Sequence, residues 1–240
     1  MRRIKGQKGL SLVEVTIMLL VLMLLTSVLA PSIWDFVHDA QWVKVKEDCE
    51  AIGITFSRLT RDIGPCLRVN AATTCTKATR VDVLESDGAV ALYTPTPFAS
   101  GNMVTTGWNA TGTNLDTMEN QFTTNAPLYN TPMQNYPTSY PAAPLFGIGW
   151  RGAYLSPPIG PDPWGSKYYL NSGFFAVATD ASAAGEGSLG RWWERDVVCL
   201  SAGPDQTIQT PFEGHPTGTP VYGTYRGGDD FVFVVSGSMR

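Results

Sequence analysis

The chain has 240 residues, of which only 16% are charged, with a formal net charge of −4. A sparsely charged, acidic chain of this kind excludes the basic face of a nucleic-acid binder. Its length allows one domain with a sizeable core beyond the first apolar stretch, and 24 glycines and 17 prolines predict long loops.

Arg2, Arg3, Lys5 and Lys8 precede an apolar run from Leu10 to Ala30, which Pro31 follows. As a helix, those about 21 residues span roughly 31 Å, close to the thickness of a bilayer core. A secretory signal peptide has a shorter apolar core with a small-residue cleavage site beyond it. Here Pro31-Ser32-Ile33-Trp34 comes next and a helical pattern continues, which predicts a retained segment. The basic leader predicts a single pass with the N-terminus in the cytoplasm and the chain after Trp34 outside. Removing the four leader charges takes the net charge from −4 to −8. Glu14 is the one charge within the run. A carboxylate there costs about 2.5–3.5 kcal/mol, so it calls for a partner or a function.

The helix is expected to pass through Pro31 and reach about Ile63. Trp42, Val45, Cys49, Ile52, Phe56, Leu59 and Ile63 recur at spacings of three and four, one apolar stripe facing a core. Gly64-Pro65 then stops it. No flexible linker separates the membrane segment from the second half of the helix.

Four cysteines, Cys49, Cys66, Cys75 and Cys199, suit an oxidising compartment and contain no CxxC pair. With His38 and His215 far apart in sequence, a zinc site is not expected. Three pairings are open. In one, Cys66 and Cys75 close a small loop and Cys49 and Cys199 tie the helix to a later strand; alternatively Cys49 is a buried free thiol.

Arg80 to Glu85 and Ala89 to Tyr93, separated by Ser86-Asp87-Gly88, read as a hairpin. Thr94 to Pro144 is rich in Thr, Asn, Pro and Gly, and an irregular insertion over about 94–160 is expected. Its Tyr129, Tyr136 and Tyr140 are either surface contacts or aromatics tucked against the domain. Further on, Asp162-Pro163-Trp164-Gly165 is a turn leading into a strand at Tyr168 to Leu170, with Phe174 to Ala178 and Val197 to Ser201 as the next strands. Gly203-Pro204-Asp205 and then Gly227-Gly228-Asp229-Asp230 come after these, leading into Phe231-Val232-Phe233. No GxSxG elbow, HExxH, P-loop or nucleophile–histidine set is present, so an enzyme is not expected. The adjacent Trp192-Trp193 reads as a contact surface or a core lid.

Gly9, Leu10, Glu14 and Pro31 together resemble the class III signal of type IV pilins and of the pseudopilins of type II secretion. That signal has a basic leader, Gly before the cut, a hydrophobic first mature residue, Glu as the fifth, and a proline in the long helix. Leu10 stands where the family most often has Phe. The resemblance implies cleavage between Gly9 and Leu10 by a prepilin peptidase and methylation of the new amine. The helices would then assemble into a filament core, with Glu14 meeting the amine of a neighbouring subunit. The C-terminal order of DPWG turn, Ser201-x-Gly203-x-Asp205 and paired aspartates is similar to the major pseudopilin, whose last loop binds calcium. This implies a Ca2+ site built from the carboxylates of Asp205, Asp229 and Asp230 with the carbonyl of Ala202. Two departures fall there: Gln206 replaces a glycine, and the loop to Asp229 is long and holds Glu213 and His215.

The expected fold is α+β: a long N-terminal helix packed against a small antiparallel sheet, pilin-like, with a loop-rich insertion. The expected divisions are a leader over 1–9, a membrane and filament-core helix over 10–33, and a periplasmic or extracellular head over 34–240. The resemblance implies a bacterial inner-membrane protein that becomes a filament. Its implied partners are copies of itself, minor pseudopilins or pilins, the prepilin peptidase, the inner-membrane assembly platform and, before assembly, membrane lipid. A type IV pilin for adhesion, motility or DNA uptake is the nearest alternative. A membrane-anchored binding module using the Tyr-rich insertion and Trp192-Trp193 is the alternative from another class.

Overall fold

A computed structural model describes residues 11–64, 67, 81–93, 108, 115–127, 135–138, 149–175, 197–210, 212 and 227–236. Its first element, α1, is one helix over Leu12–Ile63 with Pro31 inside it. The chain divides into a unit ending at Val43 and a unit starting at Lys44.

In the first unit, α1 is long and apolar enough to cross a membrane, and none of its most apolar window is buried. Its hydroxyls need no outside partner. Thr16 donates to the Val13 carbonyl at 2.8 Å, Ser27 to Leu24 at 2.8 Å and Ser32 to Leu29 at 2.9 Å. A polar group that bonds its own helix is one that apolar surroundings tolerate.

From Val45 onward the predicted stripe is buried. Val45, Cys49, Ile52, Phe56 and Leu59 are fully buried, while Trp42 at the margin is half-buried. The helix ends where glycine permits: Gly64 has φ +98° and donates to the Thr60 carbonyl at 2.9 Å, a left-handed cap. One carbonyl of the last turn, that of Asp62, accepts from the Gly149 amide at 2.8 Å, which satisfies a group a helix end leaves orphaned.

Five strands form the sheet that meets this stripe: β1 (Val83–Glu85), β3 (Leu115–Thr117), β4 (Tyr168–Leu170), β5 (Val197–Ser201) and β7 (Phe231–Ser236). They lie side by side in the order β3-β1-β4-β5-β7. The sheet is mixed rather than wholly antiparallel, because β3 lies parallel to β1 with Leu84 opposite Asp116. The other pairs are antiparallel, with Leu84 opposite Leu170, Tyr169 opposite Leu200 and Leu200 opposite Val232. Every residue of β4 and β5 is buried, as expected of interior strands covered on both faces. At the β7 edge, Gly53 of α1 lets the sheet approach: a Cβ there would lie 3.2 Å from Val235 Cγ2 and 3.3 Å from Phe233. Polar bonds also tie helix to sheet, with the Tyr168 hydroxyl donating to Asp48 at 2.9 Å.

Three expectations change. The pair expected as a hairpin divides between two sheets, since β2 (Leu92–Tyr93) pairs in parallel with β6 (Thr207–Ile208). Both edges of β1 are already taken, by β3 and β4, so β2 has nowhere to return. Secondly, Ser172–Phe175 is a 3-10 helix and not the start of a strand. It is anchored by the Gly173 amide donating to the Asp82 carbonyl at 3.0 Å and Ser172 donating to Val81 at 3.0 Å.

Thirdly, the insertion is not wholly irregular: it contributes β3 and a π-helical segment, Glu119–Thr124. Buried Asp116 organises both. Its carboxylate accepts from the Thr117 amide at 2.7 Å, Asn120 Nδ2 at 2.8 Å and Gln121 Nε2 at 2.6 Å. Gln121 in turn accepts from the Tyr136 hydroxyl at 2.6 Å, so Tyr136 is a tucked aromatic. Tyr129, Tyr140, Trp192 and Trp193 lie outside the described residues.

Candidate functional site: the acidic loop at the end of the sheet

The acidic loop is built on the DPWG turn. Asp162 is buried, and its Oδ1 accepts from the amides of Trp164 at 3.0 Å and Ser166 at 2.7 Å. Its Oδ2 accepts from the Ser201 hydroxyl at 2.7 Å, so the turn grips the last residue of β5. Burial pushes the Asp162 carboxyl up from its ordinary value, against the pull of those hydrogen bonds. The turn therefore sets the point from which the acidic loop departs.

The chain leaves β5 through buried Ala202 and Gly203, which has φ +70°. A side chain at 203 would collide with the Asp229 carbonyl, its Cβ falling 2.6 Å from that oxygen. Glycine there brings the two acidic segments together. Asp205 and Asp229 are joined directly, since the Asp205 amide donates to Asp229 Oδ2 at 3.3 Å. Asp205 also accepts from the Thr207 amide at 2.8 Å and from Gln209 Nε2 at 2.8 Å.

Gln206, standing where the resemblance has glycine, adopts φ +56°. This is the left-handed region that glycine enters freely and other residues enter at a cost of about 1–2 kcal/mol. A side-chain bond offsets part of that cost, because Gln206 Nε2 donates to the Trp164 carbonyl at 2.8 Å. Loop and DPWG turn are thus tied twice.

Asp230 is fully buried at the start of β7. Its Oδ2 accepts from the amides of Gln209 at 2.9 Å and Thr210 at 2.5 Å. Burial pushes its carboxyl up, opposed by these bonds, and the charge of Asp229 adds to the rise. Its Oδ1 and Gln209 Oε1 are buried with no hydrogen-bond partner among the described residues. Beneath the loop, Trp108 from the insertion donates to the Thr210 carbonyl at 2.8 Å and packs edge-on to Phe212 at 5.0 Å.

Of the four residues expected to form the calcium site, the structure joins Asp205 to Asp229 through the Asp205 amide, sets Ala202 just after β5, and turns Asp230 Oδ2 to the Gln209 and Thr210 amides. Among the described residues no three His, Cys, Asp or Glu side chains converge as a ready chelating group. The chemistry of the donors still fits a hard cation: they are oxygens, and one of them, the buried Asp230 Oδ1, has no hydrogen-bond partner among the described residues. Gln209 went unnoticed in the sequence. Its spacing of four from Asp205 was the only signal available, and a polar residue at such a spacing is commonplace. Glu213 and His215 lie outside the described residues.

At the other end, Glu14 is exposed in the first turn of α1 among Leu12, Val13 and Ile17, themselves 79%, 62% and 58% exposed. Pro31 lies within the continuous helix. Gly9 and Leu10 lie outside the described residues, as do Cys66 and Cys75. Cys49 and Cys199 meet in the core.

No protein-family model, curated protein or solved structure matches the chain. Its architecture is α+β, a long apolar N-terminal helix whose later turns pack on a small mixed sheet, which is a pilin-like layout.

Proposed function

We propose that the protein is a structural subunit of a type IV pilus-like filament, most like a major pseudopilin of type II secretion. One observation carries the reading: the same helix that supplies the core stripe of the second unit begins as an exposed apolar surface whose run from Leu10 to Ala30 bears the single acid Glu14. An anchored binding module or enzyme would more often join anchor and domain by a flexible linker than by one shared helix. A subunit that sits first in lipid and then among its copies needs an apolar surface suited to both.

In this reading a prepilin peptidase cuts between Gly9 and Leu10, and the helices move from lipid into the filament core. Glu14 meets the new amine of a neighbour and sets axial register. Losing one partner leaves the other buried and unpaired, a cost of roughly 3–5 kcal/mol. Calcium, held by Asp205, Asp229, Asp230 and the Ala202 carbonyl, would supply the positive charge that neutralises the acidic loop.

The test begins with the mass of the protein's N-terminus, purified from cells that contain the peptidase. A chain starting at Leu10 is expected, and an intact leader would sink the proposal. Glu14→Ala should still insert into membrane yet give no filaments by electron microscopy of sheared material. Normal filaments from that variant would overturn the register mechanism.

A further inference from the structure

Cys49 lies on the buried face of α1 and Cys199 in the middle of β5, where it sits opposite Leu170 on one side and Phe233 on the other. Both are fully buried. Their sulfurs stand unbonded 2.7 Å apart, across 150 residues of sequence. That is inside the roughly 3.5–4.0 Å at which non-bonded heavy atoms settle and a small movement from the S–S bond length of about 2.05 Å. The helix turn and the interior strand therefore present the two sulfurs to each other.

We propose that Cys49 and Cys199 form a disulfide that is made while the head folds and sealed once the head has folded. The covalent state of the core then records the compartment in which folding took place. Exchange with a dithiol-oxidising disulfide, RS–SR, supplies the oxidant. One cysteine thiolate attacks a donor sulfur and releases one RSH; the second cysteine attacks the resulting mixed disulfide and releases the other. Two electrons pass to the donor, the two thiol protons appear on two RSH, and one S–S bond forms as one breaks.

The sealing comes from burial. Neither sulfur has surface through which a donor or a reductant can reach it. Burial also pushes the Cys49 thiol up, with Cys199 beside it adding to the rise, so Cys49 offers little thiolate for attack in the folded head. Exchange therefore belongs to the open chain. A head that folds outside the reducing cytoplasm closes with the bond in place; one that folds among reductants closes as a dithiol and stays so. The choice of compartment rests on the export reading above, whereas the pairing and its sealing rest on the geometry.

The experiment uses the full chain in detergent, prepared by export to a bacterial membrane and, separately, by refolding from reduced denatured protein in a glutathione disulfide buffer. Free thiols are blocked under denaturing conditions, and tryptic peptides are mapped without reductant. Residues 47–58 should appear linked to residues 196–226 in both preparations and separate after reduction. The same link is expected in the double variant Cys66→Ser/Cys75→Ser, which leaves the core pair untouched. Without denaturant, dithiothreitol should leave the oxidised form linked and glutathione disulfide should leave the reduced form unlinked; denaturant should release both blocks.

Linkage after refolding but not after export supports the pair and its chemistry while refuting folding in an oxidising compartment. Absence of the linked peptides from both preparations, or partners at Cys66 or Cys75, overturns the pairing. Opening of the native bond as fast as the denatured one overturns the sealing.

Discussion

The two parts of α1, Leu12 to Val43 and Lys44 to Ile63, share one helix and differ in almost everything else. In the first, Met23, Trp34 and Phe36 are each more than 70% exposed. In the second, Val45, Cys49, Ile52, Phe56 and Leu59 have no exposed surface. Backbone hydrogen bonds are satisfied within a helix whatever surrounds it, but apolar side chains gain only when something covers them. The second part finds its cover in the sheet. The first finds none among the described residues, and the filament subunit proposed above would cover it with lipid and then with copies of the same helix.

The sharpest way to break that contrast is to truncate one side chain on each side of it. Phe56→Ala should lower the stability of the head by about 3–5 kcal/mol, measured by urea unfolding of the full chain in detergent. Leu20→Ala should change it by no more than about 0.5 kcal/mol. Equal losses would mean that both parts belong to one cooperative core.

The proposed calcium site comes next in size. With the ion at about a hundred times its dissociation constant, linkage adds about 2.7 kcal/mol, or roughly 5–10 °C in melting temperature for a chain of this size. Chelator should remove that gain, and Asp229→Asn should make the protein indifferent to it. A melting temperature unmoved by chelator would show that Gln209 and the backbone amides suffice to hold the acids.

A smaller effect concerns pH. The Asp162 carboxyl is raised in the folded protein by burial, so the folded state binds its proton more tightly than the unfolded chain does. Ionised Asp162 therefore weakens the fold at neutral pH. Its penalty fades as pH falls through the folded pKa toward the ordinary carboxylate value. Relative to Asp162→Asn, which does not titrate, the wild type should gain melting temperature between pH 7 and that range. A constant difference would place Asp162 in a more solvated state than its surroundings indicate.

The smallest effect separates backbone from side chain in the acidic loop. Gln206→Ala keeps the left-handed φ and loses the bond to the Trp164 carbonyl; Gln206→Gly loses the bond and removes the strain. The glycine variant should be the more stable of the two by about 1 kcal/mol, read as the difference in thermal melting. The wild type should lie near the glycine variant, since strain and bond are of similar size.

Periodic and local signals in the sequence carry through to the structure. The core stripe of α1 and the stop at Gly64 were legible because a helix repeats every 3.6 residues and a left-handed cap favours glycine. The strands at Tyr168 to Leu170 and Val197 to Ser201 were legible as apolar runs. β3 was not, because nothing local marks Leu115–Thr117 as a strand: Asp116 sits at its centre and is held by Asn120 and Gln121, with Tyr136 behind them. The expected hairpin failed for a similar reason. Strand pairing depends on which edges are free, and those of β1 were taken by segments about 30 and 85 residues away in sequence.

The acidic loop divides the same way. Its carboxylates stood out as residue types, but their arrangement depends on Gly203 admitting the Asp229 carbonyl and on Asp162 gripping Ser201. The helix, its apolar run from Leu10 to Ala30 and Glu14 as the one acid of that run are all legible along the chain, since each is set by near neighbours. Closing of the fold is what covers the later half of that helix, brings Cys49 against Cys199, and leaves particular buried oxygens without partners among the described residues. Those depend on contacts across 20 to 150 residues, made when the chain closes on itself.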